Sequence, residues 1–399
     1  MPLRLAVFLL APAPAIATSI VLFQDGASDA LASPVRDEET LLRRADRMPP
    51  SAQPDPKRTL PWPFPGEFRD QNLWNNYQQA SGGGVHAGLD LIQDAGTEVR
   101  AVDDGWVALV ATNYPDWTTH HMLIVAEEKG GTVGWTYTHL DPSRYTVEIG
   151  DRVKRGQVLG VVGEFSIGDR PGADHLHLDY VRFAYEPSDA GTWDLKTLID
   201  PLRFFDAPDE RDPEVAPLRL AAAGTWQEFE QDDGDLWRVR GRVDVLAAIR
   251  DQSYDGGAGN WGVPVITLEV RSVRGRSKWC KLVLDHRGPI GDRRQARPLY
   301  DVSEAGFAWR RALGEDPDYG PWPSWQVLRV TATDGDGTIE PGDASFAWDT
   351  TELAEGERPR FPDGLYDVTV RAFDLAGNVG SSTARVRVEN DGSTDGGRR

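Results

Sequence analysis

The chain has 399 residues, 40% of them hydrophobic and 27% charged, with a formal net charge of -20. That length predicts two folded units with flexible extensions, and the composition is that of a soluble globular protein able to bury a core. The negative balance, with no basic stripe interleaved with aromatics, argues against nucleic acid and anionic membrane surfaces as partners; the local basic run at 293–297 reads as a solvated loop.

At the N-terminus, Arg4 precedes an apolar run from Leu5 to Phe23, followed by small residues around Ala30 and Ala32. Residues 1–32 therefore read as an export signal cleaved near Ala32, which places the protein outside the cytoplasm, periplasmic or secreted. The run approaches the roughly 20 residues that cross a bilayer, so a retained anchor is the alternative, which Pro12 and Pro14 weaken. Cys280 is the only cysteine, so the exported chain folds without an internal disulfide, and Cys280 itself reads as a buried, inert thiol on a strand. Residues 33–60, charged and proline-rich, read as a linker or pro-segment.

From 61 to 205 the chain shows short β-branched runs broken by Gly and Asp turns, the pattern of an antiparallel, β-rich domain. "AGTEVRAVDDGWVALV" and "IGDRVKRGQVLGVVG" share a layout of two hairpins suited to a half-barrel of the kind that also builds lipoyl and biotinyl carriers. A carrier function needs a modifiable lysine at a hairpin tip, and neither segment offers the usual residues around one. Asn72, Asn75 and Asn76 read as surface-loop asparagines that could help occlude a site.

Six of the seven histidines fall between residues 86 and 177. His86 and Asp90 are four apart, about 13 Å on a straight strand, too far for two ligand bonds of about 2 Å to one ion. The segment must therefore bend, and Gly82, Gly83, Gly84 and Gly88 give the backbone that freedom while disfavouring a helix. His120 and His121 are adjacent on a strand pattern and point to opposite faces, so they read as structural. His139 ends a strand and enters the turn "YTHLDP". His175 and His177 in "HLH" leave a strand on one face, about 7 Å apart at Cβ, so both imidazoles look into one cleft; an exposed polar strand face is the alternative. An imidazole, a carboxylate and a second imidazole form a recurrent three-ligand zinc set that leaves a position open for catalysis.

The segment "HAGLDL", the "YTHL" turn, the "GDRVKRGQVLGVVG" hairpin and the strand "HLHLDY" occur in the order and spacing of lysostaphin/LytM-type zinc endopeptidases, and the resemblance covers roughly Trp62 to Phe205. It implies a peptidoglycan hydrolase with one Zn²⁺ held by His86, Asp90 and His177, with His139 and His175 as catalytic imidazoles acting on a metal-activated water. The substrates it implies are peptidoglycan peptides, with no integral membrane partner; a non-catalytic wall-binding or amidase-activating relative is the alternative. No HExxH motif supplies a helical base. The chain departs from the family at Ala173 and Asp174 before "HLH", at Leu178 and Asp179 directly after it, and in the long acidic loop "GEFSIGDRPGAD". Asp174, beside His175, is placed to shift that imidazole's pKa.

Residues 206–217 are again proline-rich and acidic and read as a linker. Beyond them, strand patterns from 218 to 391 suggest a β-sandwich, and "FAWDTTELAEGERPRFPDGLYDVTVRAFDLAGNVGSS" resembles the closing strands of bacterial immunoglobulin-like modules, which bind wall or protein partners or act as spacers. The stretch from about 285 to 325 reads as an insertion, and His286 within it as an exposed loop residue. "ATDGDGTIEPGD" resembles a calcium loop in part, through Asp334, Asp336, Gly337 and Asp343, but Ala332 holds the first-ligand position, so a Gly-Asp turn is favoured. Residues 392–399 read as a disordered tail. The fold class expected is thus all-β: an antiparallel half-barrel peptidase domain with lipoyl-like hairpins, then an immunoglobulin-like sandwich.

Overall fold

The computed structural model describes residues 59–390, apart from 112–121, 186–192, 253–261, 287–298, 315–324 and shorter breaks of one to three residues. The export segment, most of the 33–60 stretch, Asn76, His120, His121, the basic run and the tail lie outside the described residues. Among the described residues the protein is mostly β with a single α-helix, and no helix is long and apolar enough to cross a membrane.

The N-terminal part is built on an eight-stranded sheet. Its strands are β1 (Leu73–Asn75), β2 (Leu89–Ile92), β3 (Gly105–Ala111), β4 (Met122–Ala126), β5 (Val133–Thr138), β6 (Arg152–Val153), β7 (His175–Tyr185) and β8 (Trp193–Ile199). The order is β1-β2-β7-β5-β4-β3-β6, with β8 on the far half of β7. Alternation drives it: Leu123 and Val125, Trp135 and Tyr137, and Leu176, Leu178 and Tyr180 turn to one face and form a single core with Phe204 and Phe205. Trp62 stacks on Phe205 at 4.3 Å between ring centroids and closes that core from the N-terminal side. The two segments expected as separate hairpins pair with each other: Glu98–Arg100 runs antiparallel to Val158–Val161, and β3 to β6.

Beyond residue 205, the strands are β9 (Arg219–Ala222), β10 (Leu236–Val239), β11 (Arg242–Arg250), β12 (Val265–Ser272) and β13 (Lys278–Asp285). Helix α1 (Glu304–Ala312) follows, then β14 (Gln326–Arg329), β15 (Gly364–Phe373) and β16 (Val379–Val388). One sheet gathers four strands, β9 and β14 among them, around β11; the other runs Glu230–Gln231, β10, β16, β15, β12, β13, with β10 and β16 parallel. Val243, Val245 and Ala247 from the first and Leu268, Val270, Val368 and Val386 from the second share one core. Tyr77, Val85, Ile124, Ala126 and Val181 of the N-terminal part belong to that same core, so the C-terminal strands pack on the sheet face opposite Leu123 and Val125.

The stretch 206–217 lies along the sandwich: Glu214–Val215 pairs with the end of β11, and the Pro213 carbonyl sits so close to Gly380 that any Cβ there would collide with it. The stretch read as an insertion carries α1, whose Ser303 Oγ accepts from the Gly306 N–H at 3.3 Å. Residues 334–338 form a turn in which Asp334 and Asp336 accept backbone N–H groups two residues on, with Gly335 and Gly337 at positive φ. Cys280 is buried, as expected.

Candidate metal centre and cleft

The HAGLD segment bends as its spacing requires. His86 lies outside any strand, β2 begins at Leu89, and His86 Nε2 stands 3.2 Å from Asp90 Oδ1. Gly88 serves here through close approach: a Cβ would collide with Asp179 Oδ1 and lie 2.6 Å from the Leu178 carbonyl. Register then brings the far motifs together, because His177 of β7 sits opposite both Asp90 of β2 and Thr138 of β5.

His177 Nδ1 is 2.7 Å from Asp90 Oδ1 and 3.1 Å from His86 Nε2. The three donor atoms thus form a triangle with sides of 2.7, 3.1 and 3.2 Å. Tetrahedral ligands at bonds of about 2.0–2.1 Å stand about 3.3 Å apart, so the triangle fits one zinc ion. The electrostatics agree. Burial raises the Asp90 carboxyl, but the neighbouring His86 and His175 and the bonds from His177 and His86 outweigh it and hold it well below the ordinary range. Burial depresses His177, yet Asp179 and Asp90 outweigh that and push its imidazole up to about 10. The surroundings of Asp90 and His177 therefore favour positive charge, as a cation site must.

His175 lies on the same face, its ring 4.5 Å from that of His139, and its Nε2 3.6 Å from Asp90 Oδ1. Its Nδ1 faces the Ala173 carbonyl at 2.6 Å, and a carbonyl can only accept, so Nδ1 carries the proton and Nε2 the lone pair. Burial lowers its pKa, with Asp90 pulling the other way. Asp174 is not among the main causes of that shift: its Oδ1 accepts the Phe165 N–H at 2.6 Å, and the Phe165 ring packs on His139 at 4.3 Å and edge-on to His175 at 4.8 Å. His139 directly follows β5 with φ of 68°, and its carbonyl accepts from the Gly163 N–H at 2.8 Å. A left-handed backbone is uncommon outside glycine and places this ring over the cleft. A cleft of about 360 Å³ opens beside it, lined by Gly96, Arg144, Gly163 and Glu164 among others.

All five expected site residues therefore meet, and three further side chains support them. Asp179 Oδ1 lies 3.1 Å from His177 Nε2, while its Oδ2 accepts from Thr136 Oγ1 at 2.8 Å. Because the carboxylate accepts the Nε2 proton, Nδ1 is left to face the ion. Asn75, expected in a surface loop, is fully buried and donates from Nδ2 to Asp90 Oδ2 at 2.9 Å, which fixes that carboxylate. Continuing the alternation of "HLH" two residues further would have placed Asp179 on the site face; Asn75 had no such signal. Asn72 is exposed, and within the acidic loop Ser166–Ile167 pairs antiparallel with Arg170–Pro171. His286 is half-buried at the end of β13 and not exposed: burial pushes its imidazole down to about 4.

The sequence profile of Peptidase family M23 matches residues 84–189. Glycyl-glycine endopeptidase ALE-1 of Staphylococcus capitis is 30% identical over 140 residues, which cover 33% of this chain and 34% of that protein. Lysostaphin of Staphylococcus simulans is 30% identical over 140 residues, 33% of this chain and 25% of that protein. Among solved structures, the catalytic domain of Staphylococcus simulans lysostaphin aligns at 26% identity and a TM-score of 0.25, covering 33% of this chain and 87% of that one. The chain spans about a third or less of the length of these curated relatives. Every expected site residue falls inside the matched segment, and the chain carries a Peptidase family M23 domain over residues 84–189.

Proposed function

We propose that the protein is an exported zinc metallo-endopeptidase that hydrolyses peptide bonds of peptidoglycan, with residues 61–205 as its catalytic domain and the 218–391 sandwich as an immunoglobulin-like module. The observation that carries the reading is the triangle of His86, Asp90 and His177 donor atoms with two further imidazoles beside it. A zinc ion on those three ligands supplies a Lewis acid that polarises the scissile carbonyl and makes water a usable nucleophile near neutral pH.

The protein's own groups do the rest. His175, neutral through burial and with its Nε2 lone pair 3.6 Å from Asp90 Oδ1, accepts the proton of the attacking water. The same nitrogen then returns that proton to the amine released when the C–N bond breaks. His139, held over the cleft by its turn, hydrogen-bonds the oxygen that gains negative charge as the carbonyl becomes tetrahedral. Phe165 covers both rings and limits bulk water around them. The open cleft beside His139 suits an extended peptide strand.

Purified peptidoglycan provides the test. Free amines are expected to appear with the zinc-bearing protein, to stop on chelation, and to resume on zinc add-back, with mass spectrometry naming the bond. His139→Ala and His175→Ala should each lower turnover by about 10²–10⁴-fold while keeping zinc, and His177→Ala should lose the metal. Cleavage indifferent to chelation, or a zinc-loaded protein that binds the wall without cutting it, would overturn the reading.

A further inference from the structure

Three aspartates outside the peptidase centre meet where the chain passes into the sandwich. Asp209 belongs to the 206–217 stretch, Asp251 directly follows β11, and Asp374 directly follows β15. One carboxylate oxygen from each lies within 4.8 Å of the other two. Asp251 is 1% exposed and Asp374 5%.

Backbone groups fix all three. Asp251 Oδ1 accepts from the Gln252 N–H at 2.9 Å, and Asp209 Oδ1 from the Arg211 N–H at 3.2 Å. Asp374 Oδ1 accepts from the Gly377 and Asn378 N–H groups at 2.6 and 2.8 Å, and its Oδ2 from Asn378 Nδ2 at 2.7 Å. The second oxygens of Asp209 and Asp251 are buried and have no hydrogen-bond donor. A fully buried carboxylate oxygen without a donor is costly, and three carboxylates turned on one another compound that cost. Arg211 opposes the repulsion at Asp209 and Asp251 without cancelling it: burial and mutual repulsion raise Asp251 to about 9 and Asp209 to about 7.

We propose that Asp209, Asp251 and Asp374 form a second cation site, distinct from the peptidase centre, that binds calcium. Its donors are all hard oxygens with no imidazole or thiolate, the set that suits calcium, whereas two imidazoles and one carboxylate suit zinc. Three carboxylates supply three to six of the six to eight oxygens calcium takes. The ion would act as a clamp between the two parts. Leu375, next to Asp374, belongs to the peptidase core, and the Pro213 carbonyl lies against Gly380, so the ligands tie the departing segment and both strand ends to one point.

The test uses the full chain with its zinc content measured before and after. Passed over a chelating resin, reloaded with zinc and titrated with calcium chloride, the wild type should take up one calcium per chain, and His177→Ala should do the same. Asp251→Asn should weaken that binding at least tenfold, as should Asp374→Asn, which serves if the first variant folds poorly. At about a hundredfold excess over the dissociation constant, calcium should raise the melting temperature of the wild type by about 3 °C. Without calcium, Asp251→Asn should melt at or above the wild type, because it removes one of three carboxyl groups turned on one another. Absence of stoichiometric calcium in the wild type, or undiminished binding in both asparagine variants, would overturn the proposal.

Discussion

His177 is gripped at both ring nitrogens, and the grip at Nε2 decides what Nδ1 can do. Asp179, itself held by Thr136, takes the Nε2 proton and leaves Nδ1 facing Asp90 and His86. Asp179→Asn is therefore expected to weaken zinc affinity by about 10–100-fold, read by competition with a chromophoric chelator; an unchanged dissociation constant would remove Asp179 from the account. The five principal residues were legible in the sequence because a period of two fixes the faces of "HLH" and because two ligands four residues apart demand a bend. Asp179 sits on the same period and could have been read from it. Asn75 could not: its burial follows from the pairing of β1 with β2, a contact invisible in a local run of asparagines and tryptophan. Asp174 shows the same limit of a local reading, since its carboxylate bonds the Phe165 backbone, a contact that adjacency to His175 in sequence does not reveal.

Elements show the same division. Strands with alternating side chains were legible, as in β4, whose two faces serve two different cores, and β5, whose Trp135 and Tyr137 face one core while Thr136 faces the site. Strand β8 was not, because it is an edge strand made only by pairing with the far half of β7. Helix α1 was not legible either: nine residues are too few to display an apolar stripe over several turns. The short helix Pro201–Phe204, which delivers Leu202, Phe204 and Phe205 to the peptidase core, illustrates a cost inside an element. Asp200 caps it through Oδ1, which accepts the Leu202 N–H at 2.9 Å, while its buried Oδ2 has no partner, and burial pushes the carboxyl up to about 7. In the unfolded chain this group ionises near 3.9. The folded state therefore keeps a proton the unfolded state has lost, and the stability linked to that proton is full below about pH 4 and declines as pH rises through about 7. Asp200→Asn, which can still cap, should stabilise the protein by about 1–3 kcal/mol at pH 8 and clearly less at pH 5. Urea unfolding at the two pH values measures the difference, and equal effects at both would contradict the assignment.

At the scale of the whole molecule, the peptidase sheet has one face filled by its own core and the other shared between the histidine cluster and the C-terminal strands. Residues of the 206–217 stretch and of the turn after β15 bind the two parts together, through Glu214–Val215 on β11 and Leu375 in the peptidase core. None of this junction was legible, because each contact joins segments far apart in sequence. The centre itself is also a product of the whole fold, since its five residues come from three separated segments. Diffraction recorded on either side of the zinc absorption edge from crystals of the zinc-loaded protein tests that centre most directly. A single anomalous peak is predicted within bonding distance of His86 Nε2, Asp90 Oδ1 and His177 Nδ1, with His139 and His175 close by but not bonded. A peak ligated by His175 in place of His177, or no peak at that triangle, would contradict the account.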